Sequence, residues 1–495
     1  MKISLVAIAI LMMVKVSAGA WTIETVATLS DACKGVGLAL DGNNKPHIVY
    51  AETNTDSAYV QEIYKDAGGT WLGPFNTNCP HSENMEAYGP WSCVALDAQN
   101  DTFWVITLFG YEGYSYIYAA HKDGISGAWS SKTAVRSHYG TWPARFTACD
   151  VVAESGEVVH LLYSDYNDIS ICYTKRTAGG WGGDETIGTG GMDYGFWYYY
   201  KPSIELEDST PHCAGWFYND DLTYYDILPS YRDKAGGTWG TRIRMSNWGW
   251  WPNSGGGYVS LTLNPLGNNY DWACWGDPED TGIVRYGQRS ETGWTSSPAV
   301  TPSDMGIGVF CADIVGYANL VFLAYRNSSG ELKLARYEIL GSPTTTEEVD
   351  TLPSNVSHVC LKMASDGSAH IAYAAVESDS IKIKYAYAED VGIEETHNLK
   401  PQVQNPQLII SPNPFSKLTN ISFGNVQGAK GIELKIHDAT GRLVKSFSLP
   451  HVYSLLPTVL WDGTDDAHQK VPAGVYFVQF KVGDHIQVEK AILVK

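Results

Sequence analysis

The chain runs to 495 residues, 12% aromatic and 18% charged, with 54 Asp and Glu against 34 Lys and Arg for a formal charge of −20. So acidic a surface repels phosphate backbones and argues against a nucleic-acid partner. After the first residues no stretch approaches the ~20 consecutive apolar residues of a spanning helix, so the mature protein is expected to be soluble or tethered from outside.

Residues 1–20 open with Lys2, an apolar run from Ile3 to Val14 and the small residues Ser17-Ala-Gly-Ala20. That order reads as a secretory signal peptide cut after Ala20, not as a membrane anchor. A tryptophan then returns at Trp21, Trp71, Trp129, Trp181, Trp239 and Trp294, with gaps of 50, 58, 52, 58 and 55 residues. Fixed spacing of this kind marks a repeat architecture. Within each unit an apolar strand, a Gly/Asp/Asn turn, a second strand, an acidic or Asn-rich turn, a third strand and a Gly-rich turn lead to the Trp strand. The first copy reads Gly35–Asp41, Pro46–Tyr50 and Tyr59–Tyr64. Later first strands start near Ser92, Cys149, Pro202, Tyr258, Phe310 and Val359, which makes seven copies.

Four short strands per copy, with turn signals every ~8–12 residues, predict an all-β, seven-bladed propeller over residues 21–391. The seventh copy has three strands, around Val359–Met363, His370–Ala374 and Ile381–Tyr387, and no Trp strand of its own. Trp21–Val26, left over at the front, supplies the missing fourth strand and closes the ring, covering edges that would otherwise invite aggregation. His47, His160, His212 and His370 recur at the start of second strands and are expected to be hydrogen-bonded members of the template, on different blades, not metal ligands. Nine cysteines are too sparsely spread for a disulfide framework. Cys93, Cys149, Cys311 and Cys360 read as small buried hydrophobes, leaving Cys33 and Cys79 as bridge candidates in an oxidising compartment.

The turn Tyr64-Lys-Asp66-Ala-Gly68-Gly-Thr70-Trp71 resembles the Asp-box of sialidase-like propellers, S-x-D-x-G-x-T-W, without its leading Ser. Asp123–Trp129 and Tyr231–Trp239 are similar but looser. In that family the box is a structural turn remote from the active site, so the resemblance implies a fold and no activity. The sialidase R-I-P segment does not occur, and Pro143-Ala-Arg145 is not a copy of it.

Propeller ligands meet the face built by the loops that enter first strands and those that join second to third strands. Here the entering loops of copies two to five are aromatic, with Tyr88 and Trp91, Tyr139 and Trp142, Trp197 and Tyr198, and Trp248, Trp250 and Trp251. Flat rings of this type cover the apolar faces of sugars while polar neighbours read hydroxyls, so these residues are candidate ligand contacts. The opposing reading is that they pack the loops and plug the tunnel. Asp165, Asp220 and Asp277 lie in the second-to-third strand loops of the same face. As carboxylates beside aromatics they suit sugar hydroxyls, a glycosidase acid–base pair or a structural Ca²⁺, and equally the ordinary chemistry of tight turns. No catalytic metal or other cofactor is expected.

After Asp390 a polar linker, residues 392–407, leads to a predicted small β-sandwich over residues 408–495. Pro412-Asn-Pro-Phe415, Ile436–Val444, Trp461-Asp-Gly-Thr-Asp465, Val471–Phe477 and Lys490–Lys495 resemble the C-terminal sorting domains of type IX secretion cargo and the related Ig-like module of flagellar hook-capping proteins. That resemblance implies recognition by outer-membrane secretion machinery and a secreted or cell-surface destination. The leading expectation is a monomeric extracellular propeller that binds glycan or another polymer. A polysaccharide-active hydrolase or lyase and a ligand-free structural surface protein are the alternatives.

Overall fold

The computed structural model describes residues 21–30, 32–52, 59–80, 94–111, 114–139, 146–155, 157–165, 170–189, 201–207, 209–218, 227–245, 259–263, 271–277, 283–290, 293–296, 312–317, 320–327, 329–338, 343–353, 355–364 and 366–389 of one compact unit. Of a second unit it describes residues 407–411, 413–416, 419–424, 430–451, 458–466, 469–482 and 485–494. The expected signal peptide and residues 392–406 of the expected linker lie outside these residues, and Gln407, assigned to the linker, opens a strand.

The first unit is all-β. Among the described residues its strands form seven separate antiparallel sheets, numbered here by their first strands: Cys33–Leu40, Val94–Gln99, Phe146–Ala153, Ser203–Glu207, Val259–Thr262, Ala312–Tyr317 and Ser357–Met363. Sheets 1 to 6 take their strands consecutively from the chain. Sheet 7 instead receives its fourth strand from the front, Thr22–Leu29, paired antiparallel with Ser380–Ala388 from Thr22↔Tyr387 to Leu29↔Ile381. The first strands contact one another in sheet order, and that of sheet 7 returns to sheet 1, so the circuit closes.

Side chains clasp each joint of this circuit. Asp97 accepts the Ala153 N–H at 2.8 Å, Asp150 the Ile204 N–H at 3.0 Å, and the Ser203 hydroxyl the Leu261 N–H at 3.2 Å. Thr262 accepts the Gly316 N–H at 2.7 Å, Asp313 the Leu361 N–H at 2.7 Å, and the Cys360 thiol donates to Val36 O at 3.2 Å. Between sheets 1 and 2 the fit is steric, since a Cβ on Gly37 would stand 2.9 Å from the Leu96 Cβ. Five of these bonds satisfy main-chain donors, and the Cys360 bond a main-chain acceptor, that inner strands with no same-sheet neighbour on that side would leave orphaned.

The recurring tryptophans form a second, outer set of links, each reaching back to the preceding sheet. Trp71 Nε1 donates to Glu24 at 2.9 Å, Trp129 to Glu62 at 2.7 Å, Trp239 to Glu185 at 3.0 Å and Trp21 to Glu347 at 3.3 Å. Trp181 meets Trp104 edge-on with centroids 6.5 Å apart, and Trp294 lies 5.6 Å from Tyr231. The repeat period is thus the interval at which one sheet must be tied to the last. At Asp66 the turn is an Asx hairpin: Thr70 N–H donates to Asp66 Oδ1 at 2.8 Å, and Gly69 takes φ +82°, where a side chain would be strained. Asp41, Asn327 and Asp438 build the same turn, so it marks a hairpin wherever one is needed.

Cys33 and Cys79 are both buried and form no disulfide with each other, which corrects the bridge expectation. They sit on the first and fourth strands of sheet 1, three strand spacings or roughly 14 Å apart, beyond the reach of a disulfide. Burial pushes the Cys79 thiol up to about 12, so it stays protonated and inert.

In the second unit a three-stranded sheet (Gln407–Ser411, Thr419–Gly424, Thr458–Trp461) and a four-stranded one (Leu443–His451, Lys430–Asp438, Gly474–Val482, His485–Leu493) share one core around Trp461, Phe415, Ile436 and Val478. The Asn413-Pro-Phe415 segment caps an edge. Asn413 donates to Lys490 O at 2.6 Å and accepts the Ile492 N–H at 2.9 Å, while Phe415 exchanges main-chain bonds with Ile492 and Val494.

Candidate functional site

The tyrosines that belong to the repeat point inward and are spent. Tyr173 and Tyr385 bond His160 and His370 at Nδ1, each at 2.8 Å; Tyr231 bonds His212, and Tyr373 donates to Asp350 at 2.5 Å. Burial lowers the pKa of all these histidines and of His47, which bonds Glu62 at 2.8 Å. The four sit on four different sheets; His160, His212 and His370 bond within their own, and His47 is also met by Lys122 of sheet 2 at 3.3 Å.

Sheet 2 departs from the template. On its third strand, Tyr114–Asp123, alternation sends Ser115, Ile117 and Ala119 to the core and leaves Tyr114, Tyr116 and Tyr118 on the other face. Their rings stack within 12° of parallel, with centroids 6.2 and 5.1 Å apart. Tyr139, at the end of the fourth strand, pairs across from Tyr114 and sets its ring 4.6 Å away. Tyr139 is 72% exposed and Tyr114 44%. Phe109 backs the ladder at 6.1 Å from both Tyr116 and Tyr118. At the inner end Lys132 Nζ lies 5.0 Å from the Tyr118 ring and 6.0 Å from Tyr59 of sheet 1. Burial, with Tyr116 beside it, raises the Tyr118 phenol and keeps it a neutral donor. Among the described residues none of the four ladder hydroxyls has a hydrogen-bond partner in the protein.

A second polar cluster lines the inside of the circuit, where Asp97, Asp150, Glu205, Asp313, Lys201 and Lys362 come from five sheets and the segment entering one of them. Lys362 Nζ stands 3.8 Å from Asp97. Burial disfavours its charge, but Asp97, Glu205 and Asp313 outweigh that and raise it. Burial pushes Glu205 up to about 8, with Asp97 and Asp150 adding to the effect against Lys362. Asp97 and Asp313 are raised chiefly by burial. The three aspartates each spend an oxygen on a neighbouring strand. Glu205 does not, which leaves it the one carboxyl here able to hold or release a proton near neutral pH without unclasping a joint.

Of the residues singled out from sequence, Tyr88, Trp91, Trp142, Trp197, Tyr198, Trp248, Trp250, Trp251 and Asp220 lie outside the described residues. Tyr139 falls in the ladder. Asp165 ends the second strand of sheet 3 and is only 3% exposed, a buried turn residue. Asp277 ends the second strand of sheet 5, its side chain outside the described set. Sequence reasoning missed Tyr114, Tyr116 and Tyr118, although a Tyr-x-Tyr-x-Tyr run with polar and apolar residues between was the signal of a one-sided strand. It also missed Glu205 and Lys362, charges on first strands whose partners lie on other sheets.

No family model matches the chain, and no curated protein matches it. Among solved structures it is similar to an alpha-L-arabinanase of Penicillium chrysogenum, at 12% identity over 74% of this chain and 98% of that one, TM-score 0.44. It is also similar to a PL25 ulvan lyase, at 11% identity over 74% and 94%, TM-score 0.47. The surface protein PorZ of Porphyromonas gingivalis matches at 11% over 93% and 75%, TM-score 0.28.

Proposed function

We propose that residues 21–391 are a seven-bladed β-propeller closed by its N-terminal strand, that residues 408–495 are an Ig-like sorting module, and that the chain is exported to the cell surface or medium by type IX secretion to bind an extracellular glycan. The closed circuit of seven sheets and the fourth strand borrowed by the last one support the first part. The ordered motifs of the tail support the second.

The glycan reading is carried by one observation: four tyrosines that the repeat does not need stand in a row, their hydroxyls without a partner among the described residues and the rings of Tyr114 and Tyr139 exposed. Burying the exposed parts of several such rings under a sugar polymer gains roughly 25 cal/mol per Å² of apolar area, enough in sum for useful affinity. The test is affinity electrophoresis against a polysaccharide panel with Tyr139→Ala and the double variant Tyr114→Ala/Tyr116→Ala. Loss of retardation with unchanged melting temperature supports the reading; full retardation of both variants refutes it. A polysaccharide-active enzyme is the second reading, favoured by Glu205, whose carboxyl burial raises to about 8, the protonated state a general acid needs at neutral pH. Product release that disappears in Glu205→Gln would establish it.

A further inference from the structure

We infer that the polymer lying along the tyrosine ladder is an anionic polysaccharide, with its carboxylate or sulfate oxygens meeting Lys132. This rests on the ladder being a glycan platform and goes on to name the class of glycan.

The argument is one of charge placement. In a chain of formal charge −20, sheet 2, residues 94–139, carries Lys122, Lys132 and Arg136 against Asp97, Asp101, Glu112 and Asp123. The next sheet, residues 146–189, has seven Asp and Glu against two Lys and Arg. The sheet that carries the ladder is therefore close to charge balance, while its neighbour is strongly acidic. Two of its three cations are already engaged: Lys122 is buried on Glu62, and Arg136 bonds Asp184 at 2.6 Å. Lys132 alone has no carboxylate and no hydrogen-bond acceptor among the described residues; its neighbours are the faces of Tyr118 and Tyr59. Aromatic faces hold an ammonium in place by cation–π attraction while leaving its charge and its N–H donors uncancelled.

A neutral polymer would use the rings and phenols and leave this cation idle. A polyanion uses all three, since the four free phenol hydroxyls donate to anionic oxygens as readily as to hydroxyls. Strand geometry puts Tyr114 and Tyr118 roughly 13 Å apart, so the ladder spans more than one sugar ring. The acid elsewhere on the molecule opposes a polyanion at long range but is screened over about 8 Å at physiological ionic strength.

The experiment compares polymers that differ only in charge: polygalacturonate with its methyl ester, and dextran sulfate with dextran, each against the immobilised full chain. In at least one pair the charged member is expected to bind at least fivefold more tightly. Lys132→Gln should remove most of that difference, while Lys132→Arg restores it. Preference confined to polygalacturonate identifies a carboxylate ligand, and preference confined to dextran sulfate a sulfated one. Equal binding within both pairs, or an unaltered preference in Lys132→Gln, overturns the inference. If Tyr114→Ala/Tyr116→Ala still abolishes binding in that case, the platform stands and only its ligand is neutral. If that variant binds all four polymers like the parent, the platform reading falls as well.

Discussion

Glu62→Gln should be among the most destabilising isosteric changes in this chain. The carboxylate is 1% exposed and takes three donors from two sheets: His47 Nδ1 at 2.8 Å, Trp129 Nε1 at 2.7 Å, and Lys122 Nζ, itself buried. Burial pushes its pKa up, but the His47 bond and Lys122 outweigh burial and hold it below the ordinary carboxylate value. Removing one partner of a buried ion pair costs roughly 3–5 kcal/mol, because the other charge stays stranded. Gln keeps one acceptor for Trp129 or Lys122, which returns about 1 kcal/mol. The expected net loss is about 2–4 kcal/mol. For a unit the size of Ala18–Gly392, typical unfolding entropies convert this to a fall in melting temperature of roughly 3–5 °C. Calorimetry of the full chain measures it, followed by Glu62→Gln/Lys122→Met, which removes both charges. The double variant should recover at least half of the loss. A single-variant shift below about 1 °C, or a double variant that melts lower still, would show that the ion pair does not tie these sheets together.

Glu205 makes stability depend on pH in a stated direction. Its folded carboxyl is raised to about 8 from an ordinary 4.5, so its contribution is complete below pH 4.5 and is lost as pH rises through about 8; Glu205→Gln should flatten the decline in melting temperature between pH 6 and 9, and an unchanged slope would count against it. His370, held down to about 4 by burial, acts oppositely: the stability it lends above pH 6.5 is lost as pH falls through about 4, so His370→Gln should lessen the loss between pH 6.5 and 4 in the same assay. Removing residues 21–29 strips sheet 7 of its fourth strand and bares an edge, which size-exclusion chromatography should register as oligomers; a monomeric product would refute closure by this strand. Asn413→Ala deletes both side-chain bonds to the last strand, at a cost of roughly 1–3 kcal/mol. Hydrogen exchange at Ile492 should accelerate accordingly, and unchanged protection would contradict the capping role.

What could be read from the chain and what could not divide along a physical line. The repeat was legible because one local template recurs: Trp71, Trp239 and Trp21 each have to reach a glutamate on the sheet before, and that fixed demand leaves a fixed interval in sequence. The borrowed strand was legible for the same reason, as a copy lacking its Trp at one end and a Trp lacking its copy at the other. Neither polar cluster could be found this way. Asp97, Asp150 and Asp313 occupy related positions on first strands, yet only closure of the circuit turns them toward the N–H of a strand more than forty residues further along the chain, and only closure brings Glu205 and Lys362, over 150 residues apart, into one field. The tyrosine ladder was within reach of a period-2 reading, because Tyr114, Tyr116 and Tyr118 alternate with Ser115 and Ile117. What hid it was that tyrosine is also the template's core residue, as at Tyr173 and Tyr385, and composition does not separate a phenol bonded to histidine from one with no partner. The separating quantity is whether the hydroxyl is already spent, and that is a property of the assembled sheets. The off-template tyrosines of sheet 2 are therefore a better guide to function than the most regular feature of the chain, whose regularity the joints between sheets already explain.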